Sequence, residues 1–247
     1  MKVTFVIPTY NEAENLPQIS AALFNLPIPA LNLLIVDDNS PDGTGDIAEE
    51  LRGTYGGRVH VLHRAGKLGL GSAYIEGFRY CLQDGADAVG QMDADFSHPP
   101  EKIQHLLKAL EDCDVAAGSR YIPGGSLDVN WPLWRKGLST FGNVYARTIL
   151  GMQMKDVTGG FRLWRRNTLM NMPLDRIRSN GYVFQVEMAF VAHRLGFKFC
   201  EVPIYFADRR WGKSKMSLKI QAEAAFRIWQ VLWNYRDLKK AGKTARL

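Results

Sequence analysis

The chain has 247 residues, 46% hydrophobic, 23% charged and 11% aromatic, which excludes a disordered, collagen-like or disulfide-framed protein. Its length allows one large domain, or one domain with an appendage, at roughly 100–200 residues per domain. Thirty-one Lys and Arg against 25 Asp and Glu leave a net charge of +6, which invites an anionic partner: nucleic acid, a membrane surface or a phosphorylated substrate.

Val3–Pro8 reads as a buried first strand, because Asn11 and Glu12 follow too soon for a signal peptide. Further strands are expected at Asn32–Asp37, Val59–His63, Ala86–Met92 and Asp114–Gly118. Helices are expected near 15–25, 44–52, 70–83 and 100–111, with Pro17 in a first turn. Strand, helix, strand at this spacing predicts an α/β fold with a mainly parallel, Rossmann-like sheet flanked by helices, and ligands beyond the carboxyl ends of its strands. Residues 119–160 are rich in Gly, Trp and Arg; a helix at about 137–150 follows Trp131–Lys136. A helix near 183–195, a strand at 198–206 and a long helix from Leu218 to Lys239 complete the pattern. No run reaches the roughly 18 apolar residues of a spanning helix. Cys81, Cys113 and Cys200 form no C-x-x-C pair and read as thiols of a reducing compartment, so a cytoplasmic protein is expected.

Two strand ends carry carboxylates. Asp93 and Asp95 follow Ala88–Met92, and side chains at i and i+2 of an extended segment point the same way. Two like charges so close are stabilised by a hard cation, which favours Mg²⁺ or Mn²⁺ bound there and shared with substrate phosphates. Asp37 and Asp38 follow Leu33–Val36 and lead into a turn, Asn39–Thr44, where Asp42 or Thr44 caps the next helix. A strand-end Asp is in general as well explained by a turn or cap; here one could also accept hydrogen bonds from a nucleobase or ribose. There is no Walker loop, and Gly69-Leu70-Gly71 is only a helix entry, so P-loop and dinucleotide enzymes lose weight.

These residues carry a resemblance. Pro8-Thr9-Tyr10-Asn11-Glu12, Val36–Thr44 and Met92–Pro99 stand in the order seen in inverting family 2 glycosyltransferases of the GT-A fold. Gly118–Tyr121, Asp156–Arg162 and Phe206-x-x-Arg209-x-x-Gly212-x-Ser214-Lys215 narrow the likeness to the polyprenol (dolichol)-phosphate mannosyltransferases. The resemblance implies that Pro8, Tyr10, Glu12, Val36 and Asp38 hold the nucleotide of GDP-mannose. It implies that Asp93, Ala94 and Asp95 form the metal and diphosphate segment, with Asp93 and Asp95 on Mg²⁺ or Mn²⁺. Arg120, Arg209 and Lys215 match basic residues on the donor or acceptor phosphates. The family's archaeal members have a metal-side Gln where this chain has Ser97, whose shorter side chain would leave that place to water. The acceptor implied is a polyprenyl phosphate, already an anion, so no strong general base is needed. Beside these roles, each Arg or Lys has the commoner fate of a solvated surface cation. Gly212 favours a loop at 209–215, expected to order over the phosphates and exclude water.

The chain divides into a catalytic domain, 1–216, and a C-terminal amphipathic helix with a basic tail, 217–247. On that helix Lys219, Glu223, Arg227, Gln230 and Asn234 form a polar stripe, and apolar residues cover the rest. Its apolar surface packs on the catalytic domain or another subunit, lies in the interface of a membrane's cytoplasmic face, or meets a membrane-protein partner. Trp131–Lys136 is a candidate second interfacial contact. Residues 200–247 carry 11 Lys or Arg against 4 Asp or Glu, whereas the preceding 199 carry 20 against 21. The rivals are a same-fold transferase using UDP-glucose or another acceptor, and a non-enzymatic basic module. Nucleic acid is disfavoured, since Asp38, Asp93 and Asp95 would repel it from the binding edge.

Overall fold

Alternation along β1 (Val3–Thr9) decides the layering: Phe5 and Ile7 enter one core and Val6 the other. Strand β2 (Leu31–Asp37) repeats this, with Leu33 and Ile35 on the first side and Leu34 and Val36 on the second. A strand apolar on both faces must be covered on both faces. The computed structural model, which describes residues 1–208 and 218–238 with side chains from 225 onward in the last segment, supplies both covers. Helices α1 (Leu16–Phe24), α2 (Thr44–Tyr55) and, later in the chain, α4 (Ile103–Ala109) close the first core through Leu16, Ile19, Leu23, Ala48, Ile103 and Leu106. The second core receives Tyr74 and Phe78 of α3 (Leu70–Gln83) and Phe184 and Phe190 of α7 (Gly181–Leu195). Helix α8 (Leu218–Asn234) contributes Ile228 and Val231 to it.

With β3 (Val59–His63), β4 (Ala88–Gln91), β5 (Val115–Ser119), β7 (Arg162–Arg165) and β8 (Phe199–Pro203), the strands form one sheet in the order β3-β2-β1-β4-β7-β5-β8. All pairings are parallel except those of β7, which runs antiparallel to both β4 and β5. The chain winds outward from β1 to β3, then returns to place β4 on the other side of β1. That reversal opens a crevice at the carboxyl ends of β1, β2 and β4, where open α/β sheets bind ligands.

Several expectations shift. Strand β7 was not expected: R-L-W-R has no apolar alternation, because Arg162 is itself wholly buried and donates to the carbonyls of Gln185 (2.6 Å) and Val157 (2.8 Å). The expected strand at 198–206 is two: β8 in the main sheet and β9 (Tyr205–Phe206), which pairs with β6 (Ser126–Leu127). The helix expected from 137 starts earlier, as α5 (Leu133–Ile149), directly after Pro132. Near 100–111 a 3₁₀ turn, Pro100–Lys102, precedes α4, and α8 ends at Asn234 rather than Lys239. A short α6 (Arg166–Met170) follows β7. The three cysteines are free, and burial pushes the Cys81 thiol up to about 12.

Gly90 of β4 shows how tightly the sheet and first core mesh. A Cβ there would lie 2.3 Å from Cε1 of Phe5. Gly90→Ala is expected to destabilise the protein by about 1–3 kcal/mol, read as a lower urea midpoint; an unchanged midpoint would show that Phe5 has room to yield.

Candidate active site

Three non-glycine residues among those described have left-handed backbone: Asn11 (φ 61°), Asn39 (φ 55°) and Phe96 (φ 62°). They sit in the loops after β1, β2 and β4, so all three open on the same crevice. Asn tolerates this region; Phe does so at a cost of about 1–2 kcal/mol. Local strain gathers where surrounding contacts enforce it.

After β2, Asp37 is used by the fold. Its Oδ1 accepts from Thr9 Oγ1 (3.0 Å) and Ser40 Oγ (2.6 Å), and its Oδ2 from the Ser40 N–H (3.1 Å). Asp38 turns the other way: Oδ1 accepts from Arg64 Nη1 at 2.5 Å and Oδ2 from the Gly69 N–H at 3.3 Å. Arg64 also donates to Ser72 Oγ (2.6 Å), and both members of the ion pair are buried. Gly69 holds a φ of 101° at the entrance to α3, a conformation open to glycine. Lys67 Nζ stands 3.7 Å from the Tyr10 ring centroid. Arg64 and Lys67 were not singled out in the sequence; Arg64 follows β3 directly, so the strand-end rule that marked Asp37 and Asp38 would have marked it too. Glu12 Oε2 accepts from Asn15 Nδ2 (2.7 Å). Val36 is fully buried in the second core, and Pro8 pairs with it across β1 and β2. Asp42 accepts from the Thr44 N–H (3.1 Å), but the residue in the cap position of α2 is Gly43.

After β4, Asp93 Oδ1 accepts from Tyr74 OH (3.3 Å), while the Asp93 N–H donates to His98 Nδ1 (3.0 Å). Burial, then the charge of Asp93, pushes the Tyr74 phenol well above its ordinary value, so it remains a donor. Burial lowers His98, against the opposing pull of Asp93 and Asp95, and its ring stacks on Phe161 at 5.2 Å. A neutral ring that accepts at Nδ1 carries its proton on Nε2. Asp95 Oδ1 accepts from the N–H (3.0 Å) and Oγ (2.6 Å) of Ser97, which pins the strained Phe96 between them. Ala94 is buried between the two carboxylates.

Among the described residues no three His, Cys, Asp or Glu side chains gather as a metal site. Two carboxylates on one segment are still the donor set of a hard cation that takes its remaining oxygens from substrate phosphates. The residues present thus fit Mg²⁺ or Mn²⁺, which Asp93 and Asp95 would hold.

Arg120, directly after β5, is no solvated cation. Its Nε and Nη2 donate to Asp156 Oδ2 and Oδ1 at 2.7 Å each, and Nη2 also reaches Thr158 Oγ1 at 2.8 Å. The Arg120 and Gly159 N–H groups donate to the same carboxylate. Burial alone would raise Asp156, but the charge and hydrogen bonds of Arg120 outweigh it and hold the carboxyl below its ordinary value. Burial lowers the Arg162 guanidinium to about 10 despite the charge of Asp156. Arg209 and Lys215, with the loop 209–215, lie outside the described residues, as does the basic tail.

A model described as glycosyl transferase family 2 matches residues 4–172. The chain is 48% identical over 241 residues to an undecaprenyl-phosphate mannosyltransferase of Micrococcus luteus, covering 97% of this chain and 98% of that one. It is 45% identical over 232 residues to a polyprenol monophosphomannose synthase of Mycolicibacterium smegmatis, with 94% and 86% covered. A crystal structure of glucosyl-3-phosphoglycerate synthase from Mycobacterium tuberculosis, in complex with Mn²⁺, UDP and glucosyl-3-phosphoglycerate, is similar with a TM-score of 0.65 at 17% identity, over 98% of this chain and 82% of that one. At that identity the likeness is one of fold, the GT-A arrangement of a mainly parallel sheet between helices. The family match and the two near-full-length relatives together establish that the chain is a glycosyltransferase belonging to family 2.

Proposed function

We propose that the protein moves mannose from GDP-mannose to a polyprenyl monophosphate, with inversion at the anomeric carbon. The observation that carries this reading is the Asp93–Asp95 pair at the switch-point crevice, with Asp38 and Tyr10 at the ends of the neighbouring strands. The names of two relatives at 45–48% identity support the sugar and the lipid. Pro8, Tyr10, Glu12, Val36 and Asp38 line the nucleotide site. An ionised carboxylate offers about four acceptor positions, so Asp38 can hold Arg64 and Gly69 and still receive a donor from the nucleotide. Asp93 and Asp95 would hold Mg²⁺ or Mn²⁺, which when bound neutralises charge growing on the departing diphosphate. An acceptor phosphate oxygen attacks the anomeric carbon, the bond to the β-phosphate oxygen breaks, and its electron pair leaves with GDP. Arg209 and Lys215 meet phosphate oxygens. Arg120 presents its charge from a fixed position, set by Asp156.

The donor is tested by offering labelled GDP-mannose, UDP-glucose and UDP-GlcNAc with polyprenyl phosphate and Mn²⁺. Label is expected in lipid from GDP-mannose. A uridine donor, favoured by the UDP bound in the solved fold relative, would be established by label from UDP-glucose instead; no lipid product from any donor would reject the acceptor.

In this reading the lipid acceptor draws the protein to a membrane, at its cytoplasmic face; no described helix is long and apolar enough to cross one. Helix α8 offers different faces to the readings as core packing, membrane contact and partner contact. Ile228, Val231 and Tyr235 point into the body, whereas Phe226, Trp229 and Trp233 are exposed. Beside it α5 exposes Leu133, Trp134, Phe141 and Val144, and Trp229 Nε1 donates to Tyr145 OH (2.9 Å) between the helices. Trp131 does not join this surface: it is buried against Phe206, with Arg135 3.6 Å over its ring. Aromatic and apolar side chains on two adjoining helices, edged by Arg135, Lys136 and Arg236, suit the headgroup boundary. Replacing Trp134, Phe226 and Trp233 together by Ser is expected to lower partition onto anionic vesicles by more than about tenfold. Flotation equal to wild type would remove this surface from the reading.

A further inference from the structure

A buried carboxylate outside the crevice ties the last helix to the donor pocket. Glu187, in the second turn of α7, is 1% exposed, and among the described residues no Lys or Arg closes on it as an ion pair. It is held instead by hydrogen-bond donors. Its Oε2 accepts from the N–H groups of Ser179 (2.7 Å) and Arg178 (3.2 Å), in the strap that precedes α7. Its Oε1 lies 2.8 Å from the hydroxyl of Tyr235, just beyond α8, and that hydroxyl is also 2.8 Å from the carbonyl of Arg176. The same Arg176 donates to the Asn234 carbonyl (2.7 Å) and pairs with Asp237, fastening the end of α8 where a helix terminus offers unpaired carbonyls. The strap 176–179 is therefore gripped by Glu187 and Tyr235 on one side.

Its other side presses on the start of α3. A Cβ at Gly71 would lie 2.3 Å from the Ser179 carbonyl, and one at Gly69 3.0 Å from Asn180 Oδ1. Gly69 is the residue whose N–H donates to Asp38 and whose carbonyl accepts from Ser72 Oγ (2.8 Å). The contacts run without a gap from Tyr235 through Glu187, the strap and Gly69 to Asp38. The need to satisfy the N–H groups of the strap alone explains why an acidic side chain of α7 reaches back to them. It does not explain a tyrosine 48 residues away completing the same carboxylate.

We propose that Glu187 and Tyr235 are positioning residues that hold the strap against Gly69–Gly71, so that tight donor binding at Asp38 depends on how α8 is seated. This rests on the reading of the Asp38 pocket as the nucleotide site. A buried carboxylate deprived of one donor loses a charge-assisted bond that nothing nearby replaces. Tyr235→Phe keeps the ring and removes only the hydroxyl. Its expected result is about fivefold or greater weakening of GDP binding with Mn²⁺, the same rise in donor KM, and kcat within twofold. Amide exchange in 176–182 should speed by about tenfold, with the melting temperature lower by only a few degrees. Gly71→Ala pushes the strap from the opposite side and is expected to give the same rise in donor KM and faster exchange in 176–182, but with a lower melting temperature, because its Cβ would meet a main-chain carbonyl. A Tyr235→Phe protein that binds GDP as wild type does, or that exchanges 176–182 at the wild-type rate, overturns the proposal; so does a fall in kcat and melting temperature with donor KM unchanged. Wild-type protein that fails to bind GDP but binds UDP would overturn only the guanosine donor, and the same comparison is then read with UDP. Wild-type protein that binds neither overturns the donor pocket, and the proposal's claim on binding with it.

Discussion

Asp95→Ala is expected to lower metal-dependent transfer by about two to three orders of magnitude, the usual loss when one element of transition-state charge stabilisation goes. The substitution removes a candidate metal ligand and also the acceptor that holds Ser97 and, between them, the left-handed Phe96. Asp95→Asn separates the two roles. Its amide oxygen can still accept from the Ser97 N–H, so the loop stays in place while the charge is lost. If the charge is what matters, Asp95→Asn is nearly as slow as Asp95→Ala, and the Mn²⁺ concentration needed for half-maximal rate rises. Transfer by Asp95→Asn above about a tenth of wild type at saturating Mn²⁺ would show that the carboxylate does not hold the ion.

The second large effect is on stability. Asp156 is wholly buried beneath Arg120, with Arg162 nearby, and accepts from two main-chain N–H groups besides. Removing one partner of a buried pair leaves the other charge uncompensated, at about 3–5 kcal/mol. Asp156→Ala is therefore expected to melt roughly 10 °C below wild type, given the few degrees per kcal/mol of a chain this size. Because the folded carboxyl titrates below its ordinary value of 3.8, its contribution is complete above that pH. The contribution is lost progressively as the pH falls from there through the folded value. Acid titrations of stability should thus differ between wild type and Asp156→Ala at neutral pH and converge in strong acid. A variant melting within about 2 °C of wild type would make the pair dispensable.

The readable parts of the molecule are those governed by near neighbours in the chain. Val3–Thr9 and Leu31–Asp37 announce themselves because a strand buried on both faces is apolar throughout. The carboxylates of Asp93 and Asp95 are conspicuous because they interrupt such a run where the sheet ends. Strand β7 gave no such sign. Its first residue, Arg162, is buried beside Leu163 and Trp164, which it can be because carbonyls of Gln185 and Val157 meet it from elsewhere in the chain.

The same division runs through the site. The α/β layering, the acidic strand ends and the resemblance to family 2 glycosyltransferases are legible along the chain, since period, turn chemistry and motif order are local properties. Which charges are paired, Asp38 with Arg64, Arg120 with Asp156 and Glu187 with the strap and Tyr235, is settled by the folded chain. The fold also decides which face of α8 is core and which is exposed. Pairing and burial depend on distance in space, and those partners stand 26, 36 and 48 residues apart along the chain.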